Sequence, residues 1–483
     1  MVNKKNCLLI VHDVYQEYNF FPLGAGYLAA VLEKNHYSVE VYCMDVFHYT
    51  NEQLTEKLDE SEYDIIGCGF MAARYTETIV DLCKVVNAHK KNAWFVLGGF
   101  GPSPISEFIV EDTGCDIVAM GEGEETIVEL MKQKLSDTPA LASVLGITYR
   151  DGDNIKKNER RPLPKDLDSF PFPAWHLFPM EKYLKSARRK HVEDDDNVCS
   201  VLTSRGCVAR CSFCYRLEKG MRIRSLDNVM EEFLELQRRY GVTVFRMEDE
   251  LCFCSKKRIL DFEKKLTENN LKVKLIGQVR ADIFDEEVVK SLKRTGLIFA
   301  NVGFESSSQE VLKYINKNVT IEQNINTLEL CKQEDIPVGL NFVCNFPPET
   351  KKDIMGNVKL MLKYTNYSNI RTIRPVTPYP GSPMYYEALQ KGLLKGPKDF
   401  FDKFRNSDLI HTNFTRYTND ELFEILLEAN SILIKDYFEN TNGDMDAADE
   451  LIDQFRSLYT GKNEKFRGTK VHAKERLEKV LKV

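Results

Sequence analysis

Three cysteines stand close together in the run Thr-Ser-Arg-Gly-Cys-Val-Ala-Arg-Cys-Ser-Phe-Cys-Tyr, at Cys207, Cys211 and Cys214. Their C-x3-C-x2-C spacing lets one compact loop aim three thiolates, the usual ligands of iron–sulfur clusters, at a single site. A four-iron cluster held by three thiolates leaves one iron without a protein ligand and open to a substrate. The triplet therefore predicts an iron–sulfur site with catalytic potential.

The other cysteines are predicted to be structural. A long chain with 13 cysteines, an odd count, and no secretory signal argues against a disulfide framework. No second C-x2-C pair follows the triplet, as structural zinc would require. Cys252 and Cys254 form a C-x-C that could serve an auxiliary metal, although packing is favoured. The remaining cysteines lie singly in apolar or mixed stretches, where thiols pack as small hydrophobes: Cys7, Cys43, Cys68, Cys83, Cys115, Cys199, Cys331 and Cys344.

The cysteine loop resembles the hallmark C-x3-C-x-Φ-C motif of the radical S-adenosylmethionine (SAM) superfamily, with Phe213 at the aromatic position. The resemblance implies a [4Fe–4S] cluster whose open iron chelates the amino and carboxylate groups of SAM. One electron from the cluster then cleaves SAM to methionine and a 5′-deoxyadenosyl radical. It also implies an external electron donor such as a flavodoxin or a ferredoxin.

The elements that must position this loop follow it in the chain. Strand-like runs alternate with amphipathic stretches, which predicts a parallel sheet. Six such units suit the partial (β/α)6 barrel of the family, and active sites of parallel barrels lie at the carboxyl ends of their strands. We predict strands at Cys199–Ser204, Thr243–Glu248, Val273–Val279, Ile298–Gly303, Pro337–Cys344 and Asn369–Arg374.

Polar residues at these strand ends match positions that the family uses for SAM. Glu248, Asp249 and Glu250 follow the second strand, where the family places an acidic motif for the SAM amino group. Which of the three carboxylates serves stays open. Arg280 matches the third-strand arginine, whose planar fork suits a carboxylate. Glu305 matches the fourth-strand glutamate that reaches the amino or ribose groups of SAM.

A turn after the fifth predicted strand also resembles the family. Residues 345–350, Asn-Phe-Pro-Pro-Glu-Thr, resemble its G-x-P-x-E-T turn, with Asn345 in place of the usual glycine. Taken one at a time, all of these polar residues could be solvated strand ends or members of salt bridges. Their order along the chain favours the functional interpretation. The residue that acts as acid or base, or quenches a radical, is unknown.

The amino-terminal part carries a second pattern. Five β-α repeats predict a doubly wound sheet, with ligands at the carboxyl ends of its strands. Two loops there, with Gly98 and Gly99 in one and Gly121, Glu122 and Gly123 in the other, let backbone approach a large ligand closely. They resemble the loops of the cobalamin-binding domain attached to a large branch of radical SAM enzymes. Because D-x-H-x-x-G is lacking, we expect cobalt without a protein histidine ligand. A domain that kept this shape but lost the cofactor is the alternative.

The predicted fold class is α/β, in four parts. A Rossmann-like doubly wound cobalamin-binding domain over 1–150 is followed by a proline-containing linker over 151–197. A radical SAM partial barrel over 198–390 precedes a mostly helical carboxyl-terminal domain over 391–483. A basic run at Lys462–Val483 predicts an exposed helix. An amphipathic stripe predicts another helix, at Leu422, Ile425, Leu426, Ala429, Ile432 and Leu433.

Composition limits the function classes. The chain has 483 residues, 43% of them hydrophobic, which is enough for several cores. A net charge of −7 argues against general nucleic-acid binding, which favours basic faces. The sequence lacks a run of about 18 apolar residues, so we expect no membrane span. An oxygen-sensitive cluster favours the reducing cytoplasm.

Together these features predict a cobalamin-dependent radical SAM enzyme. Methyl transfer from methylcobalamin to an unactivated carbon of a small molecule, natural product or peptide is the favoured reaction. Three alternatives stay open. One is a cobalamin-associated cyclisation, rearrangement or redox reaction without methylation. Another is a methylthiotransferase, which needs three further cluster cysteines, and Cys7, Cys43 and Cys83 are spaced broadly like such a set. The third is a non-catalytic cofactor-binding protein.

Overall fold

The computed structural model describes residues 3–15, 19–71, 75–186, 191–405 and 408–461. Seven strands build its amino-terminal sheet: β1 (Asn3–Val11), β2 (Val39–Cys43), β3 (Ser61–Gly69), β4 (Trp94–Gly98), β5 (Ile117–Ala119), β6 (Ile147–Asp151) and β7 (Asn154–Lys157). They lie in the order β2-β1-β3-β4-β5-β6-β7. The first five run parallel, and β6 and β7 extend the edge in antiparallel pairing.

Helices cover both faces of this sheet. They are α1 (Leu23–Lys34), α2 (Met44–Phe47), α3 (Asn51–Glu60), α4 (Val80–His89), α5 (Ser106–Thr113) and α6 (Glu124–Lys134). Leu8 and Ile10 of β1 pack with α3, α4 and α5, whereas Cys7 and Leu9 pack with α1 and α6. Burial on both faces explains the continuous apolar runs of these strands. The predicted doubly wound sheet is thus confirmed, with a ligand crevice expected where the order reverses between β1 and β3.

The second sheet contains six parallel strands, with a two-stranded hairpin inserted after the first. The strands are β8 (Val198–Val201), β9 (Ser204–Cys207), β10 (Gly220–Ile223), β11 (Val244–Met247), β12 (Lys274–Val279), β13 (Leu297–Glu305), β14 (Val338–Cys344) and β15 (Arg374–Pro375). Apart from the hairpin of β9 and β10, their spatial order follows the chain. This arrangement confirms the partial (β/α)6 barrel. The hairpin itself is not predicted by the sequence pattern.

The first helix of this part precedes the barrel strands, the others follow them, and local signals mark where several of them begin or end. They are α7 (Met180–Ser186), α8 (Leu226–Tyr240), α9 (Lys256–Glu268), α10 (Glu286–Arg294), α11 (Gln309–Tyr314), α12 (Ile321–Gln333), α13 (Lys351–Tyr364), α14 (Pro383–Gln390) and α15 (Pro397–Lys403). Thr320 and Thr350 form capping boxes at the starts of α12 and α13. Gly241, at a φ of 62°, ends α8 in the left-handed conformation that favours glycine.

The sixth barrel strand is shorter than predicted. The sequence predicts a strand over Asn369–Arg374, but only Arg374 and Pro375 pair with β14. The buried side chain of Asn430 takes the place of a neighbouring strand. Its Oδ1 accepts the N–H of Ile373 at 2.8 Å, and its Nδ2 donates to the Ile373 carbonyl at 3.1 Å. A side-chain amide thereby satisfies backbone groups that a sheet ladder would otherwise occupy.

Two long helices complete the described chain, α16 (Asn419–Glu439) and α17 (Met445–Tyr459). The predicted stripe on α16 packs into the barrel core except for Ile432, which is 36% exposed. The predicted helix over Lys462–Val483 lies outside the described residues. Among those residues, no helix combines the length and apolar character needed to cross a lipid bilayer. The domain boundaries near 150, 197 and 390 stay predictions.

Candidate active site

The loop that carries the three cysteines is closed at its base by the hairpin of β9 and β10. Cys207, the last residue of β9, pairs with Gly220, the first residue of β10. Gly206 has a φ of 83°, and a Cβ built there would lie 2.2 Å from the Gly220 carbonyl oxygen. Only glycine permits this close approach of the two strands. The hairpin therefore fixes where the loop leaves and re-enters the barrel.

Contacts with distant segments hold the middle of the loop. The N–H of Ser212 donates to the Ile315 carbonyl at 2.9 Å, and the Ser212 carbonyl accepts the N–H of Met384 at 3.0 Å. The predicted aromatic residue, Phe213, packs into the core with its ring 6.2 Å from that of Phe346. Phe213 thus acts as an apolar anchor for the cysteine loop.

The three thiols lie near enough to one another to interact electrostatically, and Cys207 lines a cavity beside the loop. Cys211 is 8% exposed, whereas Cys214 is open to solvent although surrounded by protein atoms. Burial and the charges of neighbouring groups, Cys211 and Cys207 among them, together raise the pKa of Cys214 to about 12. Burial also raises the pKa of Cys211. Thiols that repel one another as thiolates fit a cation-rich cluster, which stabilises them together. The residues present therefore fit an iron–sulfur cluster.

The three predicted acidic residues after β11 differ in what their oxygens bind. Asp249 is buried and accepts bonds from the backbone and hydroxyl of Thr203 and the hydroxyl of Ser204. Glu248 pairs with Arg246. Glu250 keeps a buried oxygen, Oε2, without a hydrogen-bond partner among the described residues.

Glu250 also lies near the cluster thiols, since it acts electrostatically on Cys214. Burial raises the pKa of Glu250, and the charge of Arg216 acts in the opposite direction. Asp249 serves the fold by tying the end of β8 to the end of β11. Because its Oε2 accepts no hydrogen bond among the described residues, Glu250 is the best candidate of the three acidic residues for a cofactor contact. That contact stays a prediction.

Glu305 ends β13 in an unusual conformation. It is 7% exposed, has a φ of 63°, and follows an irregularity in the pairing of β13 with β14. Its Oε1 lies 2.8 Å from Nζ of Lys317, in the loop between α11 and α12. A positive φ in a non-glycine residue costs free energy and is often found at functional sites. Sequence patterns pointed to Glu305 but missed Lys317.

Arg280, after β12, lies beside the same thiols. It acts electrostatically on Cys211 and Cys207. Its guanidinium donates to Asp282 from Nε at 3.0 Å and from Nη2 at 2.9 Å, and Nη2 also reaches the Lys317 carbonyl at 3.3 Å. The fork that suits a carboxylate ligand is therefore directed at a carboxylate of the protein itself.

The turn after β14 is built around its glutamate. Oε2 of Glu349 accepts the N–H of Asn345 at 2.6 Å and that of Phe346 at 3.4 Å. Asn345 has a φ of 78°, which explains why the family uses glycine there and why asparagine is tolerated. Its side chain also bonds to the carbonyl of Thr412 and the N–H of Phe414. The side chains of Glu349 and Asn345 therefore hold the backbone of this turn and of the segment around Thr412 in place.

The predicted cobalamin loops stand at the carboxyl edge of the first sheet. Gly98 ends β4, and Gly99 has a φ of 97° with its Cβ position 3.2 Å from the Phe70 carbonyl. Gly121, at a φ of 88°, has its Cβ position 2.5 Å from Oε1 of Glu218 in the cysteine loop. Gly123 packs against Leu28, which is 3.1 Å from its Cβ position. The second loop therefore touches the cysteine loop directly.

Glu122 joins the two sheets through an interdomain ion-pair cluster, which consists of Glu122, Glu124, Arg205 and Arg222. Arg205 and Arg222 are opposite each other in the hairpin, where like charges repel. Glu122 contacts both guanidiniums, at 3.2 Å from Nη1 of Arg205 and 3.1 Å from Nη1 of Arg222. Glu124 lies 2.5 Å from Nη2 of Arg205. Glu122, predicted as a cofactor contact, has its carboxylate occupied by these arginines.

A cavity of about 280 Å³ opens beside the cysteine loop. It is lined by a thiol, three cationic side chains and apolar or backbone surface: Cys207, Val208, Arg210, Arg216, Lys219 and Gly220. Arg210 and Lys219 have no ion-pair partner among the described residues, although the whole chain is acidic. The cavity joins solvent to a cluster ligand.

Two family models match the parts just described. A model of the "Radical SAM superfamily" matches residues 201–361, and a model of the "B12 binding domain" matches residues 14–131. The first match covers all three cysteines, Arg280 and Glu305. The second covers the glycine loops. The family models therefore agree with the two cofactor sites expected from the motifs.

Relatives span most of the chain. It is 28% identical to the uncharacterized methyltransferase PH0819 of Pyrococcus horikoshii, over 87% of this chain and 90% of the relative. It is 26% identical to the anaerobic magnesium-protoporphyrin IX monomethyl ester cyclase of Cereibacter sphaeroides, over 76% of this chain and 60% of that relative. The radical SAM methyltransferase TsrM from Kitasatospora setae superimposes with a TM-score of 0.66. That match, at 19% identity over 80% of this chain and 76% of TsrM, shows the shared fold.

Proposed function

The chain belongs to the radical SAM superfamily and carries a B12 binding domain, and on this premise we propose that it is a cobalamin-dependent methyltransferase. The acceptor is an unactivated carbon of a small molecule, natural product or peptide. The observation that carries the proposal is the direct contact of the Gly121–Gly123 loop with the cysteine hairpin. Both cofactor sites thereby open on one interface.

The chain's own residues bind and orient the reactants. Cys207, Cys211 and Cys214 hold the cluster, while Glu250 and Glu305 offer oxygens to SAM. When bound, the cluster, SAM and methylcobalamin supply the radical and the methyl group. Overall, one hydrogen atom of the acceptor is replaced by a methyl group. Two SAM molecules are consumed in each turnover. One gives methionine and 5′-deoxyadenosine, the other gives S-adenosylhomocysteine, and the donor supplies two electrons.

The carboxyl edge of the first sheet fits a flat corrin. Gly24, in the first turn of α1, has no atom within 4 Å of the position that a Cβ would take. Met71 lies two residues after the end of β3, and its large apolar side chain is 65% exposed. Backbone and apolar surface lie at the crevice where doubly wound sheets bind ligands. We propose that the corrin occupies this surface with Gly98, Gly99 and Gly121 near it.

The product ratio of SAM-derived compounds tests methyl transfer. Protein reconstituted with iron, sulfide and methylcobalamin is supplied with SAM and reductant without oxygen, with and without a metabolite extract. A methyltransferase produces S-adenosylhomocysteine together with 5′-deoxyadenosine, and only when cobalamin is bound. The cyclase relative favours a second candidate, a radical reaction without methylation. Formation of 5′-deoxyadenosine alone, with cobalamin bound, would support that second function and contradict ours.

We also propose an acidic one-electron carrier protein, of the flavodoxin or ferredoxin class, as electron donor. The cations Arg210 and Lys219 surround the cavity that reaches Cys207, and they complement an acidic partner. A reducing cytoplasmic location agrees with the free cysteines of the chain. Salt should slow reduction by an acidic flavodoxin, whereas methyl viologen, a cationic reductant, should not be slowed. Equal salt dependence for both reductants would contradict this docking face.

A further inference from the structure

Lys317 is a buried cation that the local backbone directs toward the cysteine loop. Its neighbours Asn316 and Asn318 have φ values of 55° and 54°, a conformation that asparagine tolerates better than most residues. The side chain of Asn316 donates to the Arg210 carbonyl at 3.0 Å, which ties this turn to the cysteine loop. The Lys317 side chain is 12% exposed. Lysine is rarely so buried without a dedicated partner.

The strand beneath Lys317 is shaped to receive it. A Cβ built on Gly303 would lie 2.8 Å from Nζ of Lys317 and 2.3 Å from Oε1 of Glu305. The missing side chain at Gly303 is what allows the Lys317–Glu305 pair to lie flat on β13. The two groups are 2.8 Å apart, and the side chain of Glu305, like the residue as a whole, is largely buried. The lack of a side chain at Gly303 thus provides the space that the Lys317–Glu305 ion pair occupies.

Lys317 keeps two of its N–H donors unbonded among the described residues, whereas Arg280 already uses Nε and Nη2 and keeps only Nη1. An ammonium carries three N–H donors, and among the described residues Nζ of Lys317 bonds only to Glu305. Arg280 is directed at Asp282 and at the Lys317 carbonyl. The Ile315 carbonyl accepts the Ser212 N–H at 2.9 Å and the Asn316 side chain donates to the Arg210 carbonyl at 3.0 Å, so the turn that carries Lys317 contacts both sequence neighbours of Cys211. Glu305 already supplies one anionic partner, and the two remaining N–H donors of this largely buried ammonium are suited to a second carboxylate.

We propose that Lys317 binds the carboxylate of SAM, held in place by Glu305 and by the space above Gly303. This inference rests on the proposed function, because it takes SAM as the ligand of the cysteine site. Lys317 thereby takes the carboxylate-binding role that the sequence pattern gives to Arg280. Arg280 instead stabilises the turn at Lys317, through the hydrogen bond from its Nη2 to the Lys317 carbonyl.

A comparison of two ligands with three variants tests the proposal. Binding of SAM and of decarboxylated SAM to the anaerobically reconstituted holoenzyme is measured by equilibrium dialysis. In Lys317→Met, SAM affinity falls about tenfold to a hundredfold, the range of a charge-assisted hydrogen bond. Affinity for decarboxylated SAM stays within about twofold of wild type. Lys313→Met is the matched control, since Lys313 is exposed and lies four residues earlier.

Lys317→Gln is a second variant in case Lys317→Met fails to fold. Its amide can still donate a hydrogen bond to Glu305, while the positive charge is removed. Iron content and the thermal unfolding temperature identify any variant that fails to assemble. Equal weakening of both ligands in Lys317→Gln would overturn the assignment, and so would a carboxylate-specific loss in Arg280→Gln alone. If wild-type holoenzyme binds neither ligand, the proposed function fails instead, and the two failures are thereby distinguished.

Discussion

Carboxylates in this structure have different roles, which depend on the hydrogen bonds that their oxygens accept. Asp249 is fully bonded and serves the fold, Glu250 keeps a free oxygen beside the thiols, and Glu349 closes a backbone turn. Burial, helped by the charge of the nearby Asp353 and opposed by the backbone hydrogen bonds of Asn345 and Phe346, raises the pKa of Glu349 to about 8. An acid whose pKa is raised in the folded state releases its proton more readily when unfolded. Its contribution to stability is therefore present at low pH and lost as pH rises from about 4.5 through 8.

Glu349→Gln should remove this pH dependence. The neutral amide keeps the shape of the side chain, and its Oε1 can still accept the Asn345 N–H. We expect the free energy of unfolding of wild type to fall between pH 5 and 8 relative to Glu349→Gln, measured by urea denaturation. Asp353→Asn is the control for the nearby charge. Parallel pH profiles of wild type and Glu349→Gln would contradict a buried, protonated Glu349.

At the scale of elements, the hairpin of β9 and β10 decides where the cluster loop sits. Gly206 and Gly220 both have a φ of 83°, but only Gly206 faces a crowding atom, 2.2 Å from its Cβ position. Gly220 has nothing within 4 Å. Alanine at either glycine costs about 1–2 kcal/mol of left-handed strain, and at Gly206 it also forces the strands apart.

We therefore expect Gly206→Ala to lose most of its iron and sulfide after reconstitution, while Gly220→Ala keeps most of both. Iron and sulfide are counted per chain, and circular dichroism checks that both variants fold. Equal cluster content in the two variants would mean that hairpin closure does not control the site.

At the scale of the whole molecule, the interdomain ion-pair cluster holds the two cofactor-bearing sheets together. Glu122 separates two arginines that face each other across the hairpin, and its side chain is 11% exposed. Removing one partner from such a buried network leaves charges uncompensated and costs about 3–5 kcal/mol. Glu122→Gln should lower the free energy of unfolding by that order. Glu125→Gln, three residues later in the first turn of α6 and half exposed, should change it little.

The same variant separates two roles for Glu122. If Glu122→Gln loses cobalamin but keeps its stability, the side chain is a cofactor contact, as the glycine-loop motif predicts. Loss of stability with cobalamin retained by the folded fraction supports the ion-pair role. Absorbance of bound corrin and denaturant unfolding of one preparation give both quantities.

Much of this architecture could be predicted from the sequence, because its signals are local. The triplet at Cys207, the alternation of apolar strands and amphipathic helices, and the glycine turns each lie within a few residues. The ion pair between Glu122 and Arg222 joins residues that are 100 positions apart in the sequence, and no local or periodic pattern indicates such a contact. The sixth strand was misplaced because a helix residue, Asn430, replaces its ladder bonds. Lys317 had one local clue, the flanking asparagines at its turn.

We propose that this chain cleaves SAM reductively at its three-cysteine site, next to bound cobalamin. The most direct measurement is 5′-deoxyadenosine, quantified by mass spectrometry after anaerobic incubation of reconstituted holoenzyme with SAM and a reductant. We predict that wild type forms it in a reductant-dependent reaction and that Cys211→Ala does not. No 5′-deoxyadenosine from a wild-type protein that carries its cluster, or equal amounts from Cys211→Ala, would contradict the claim.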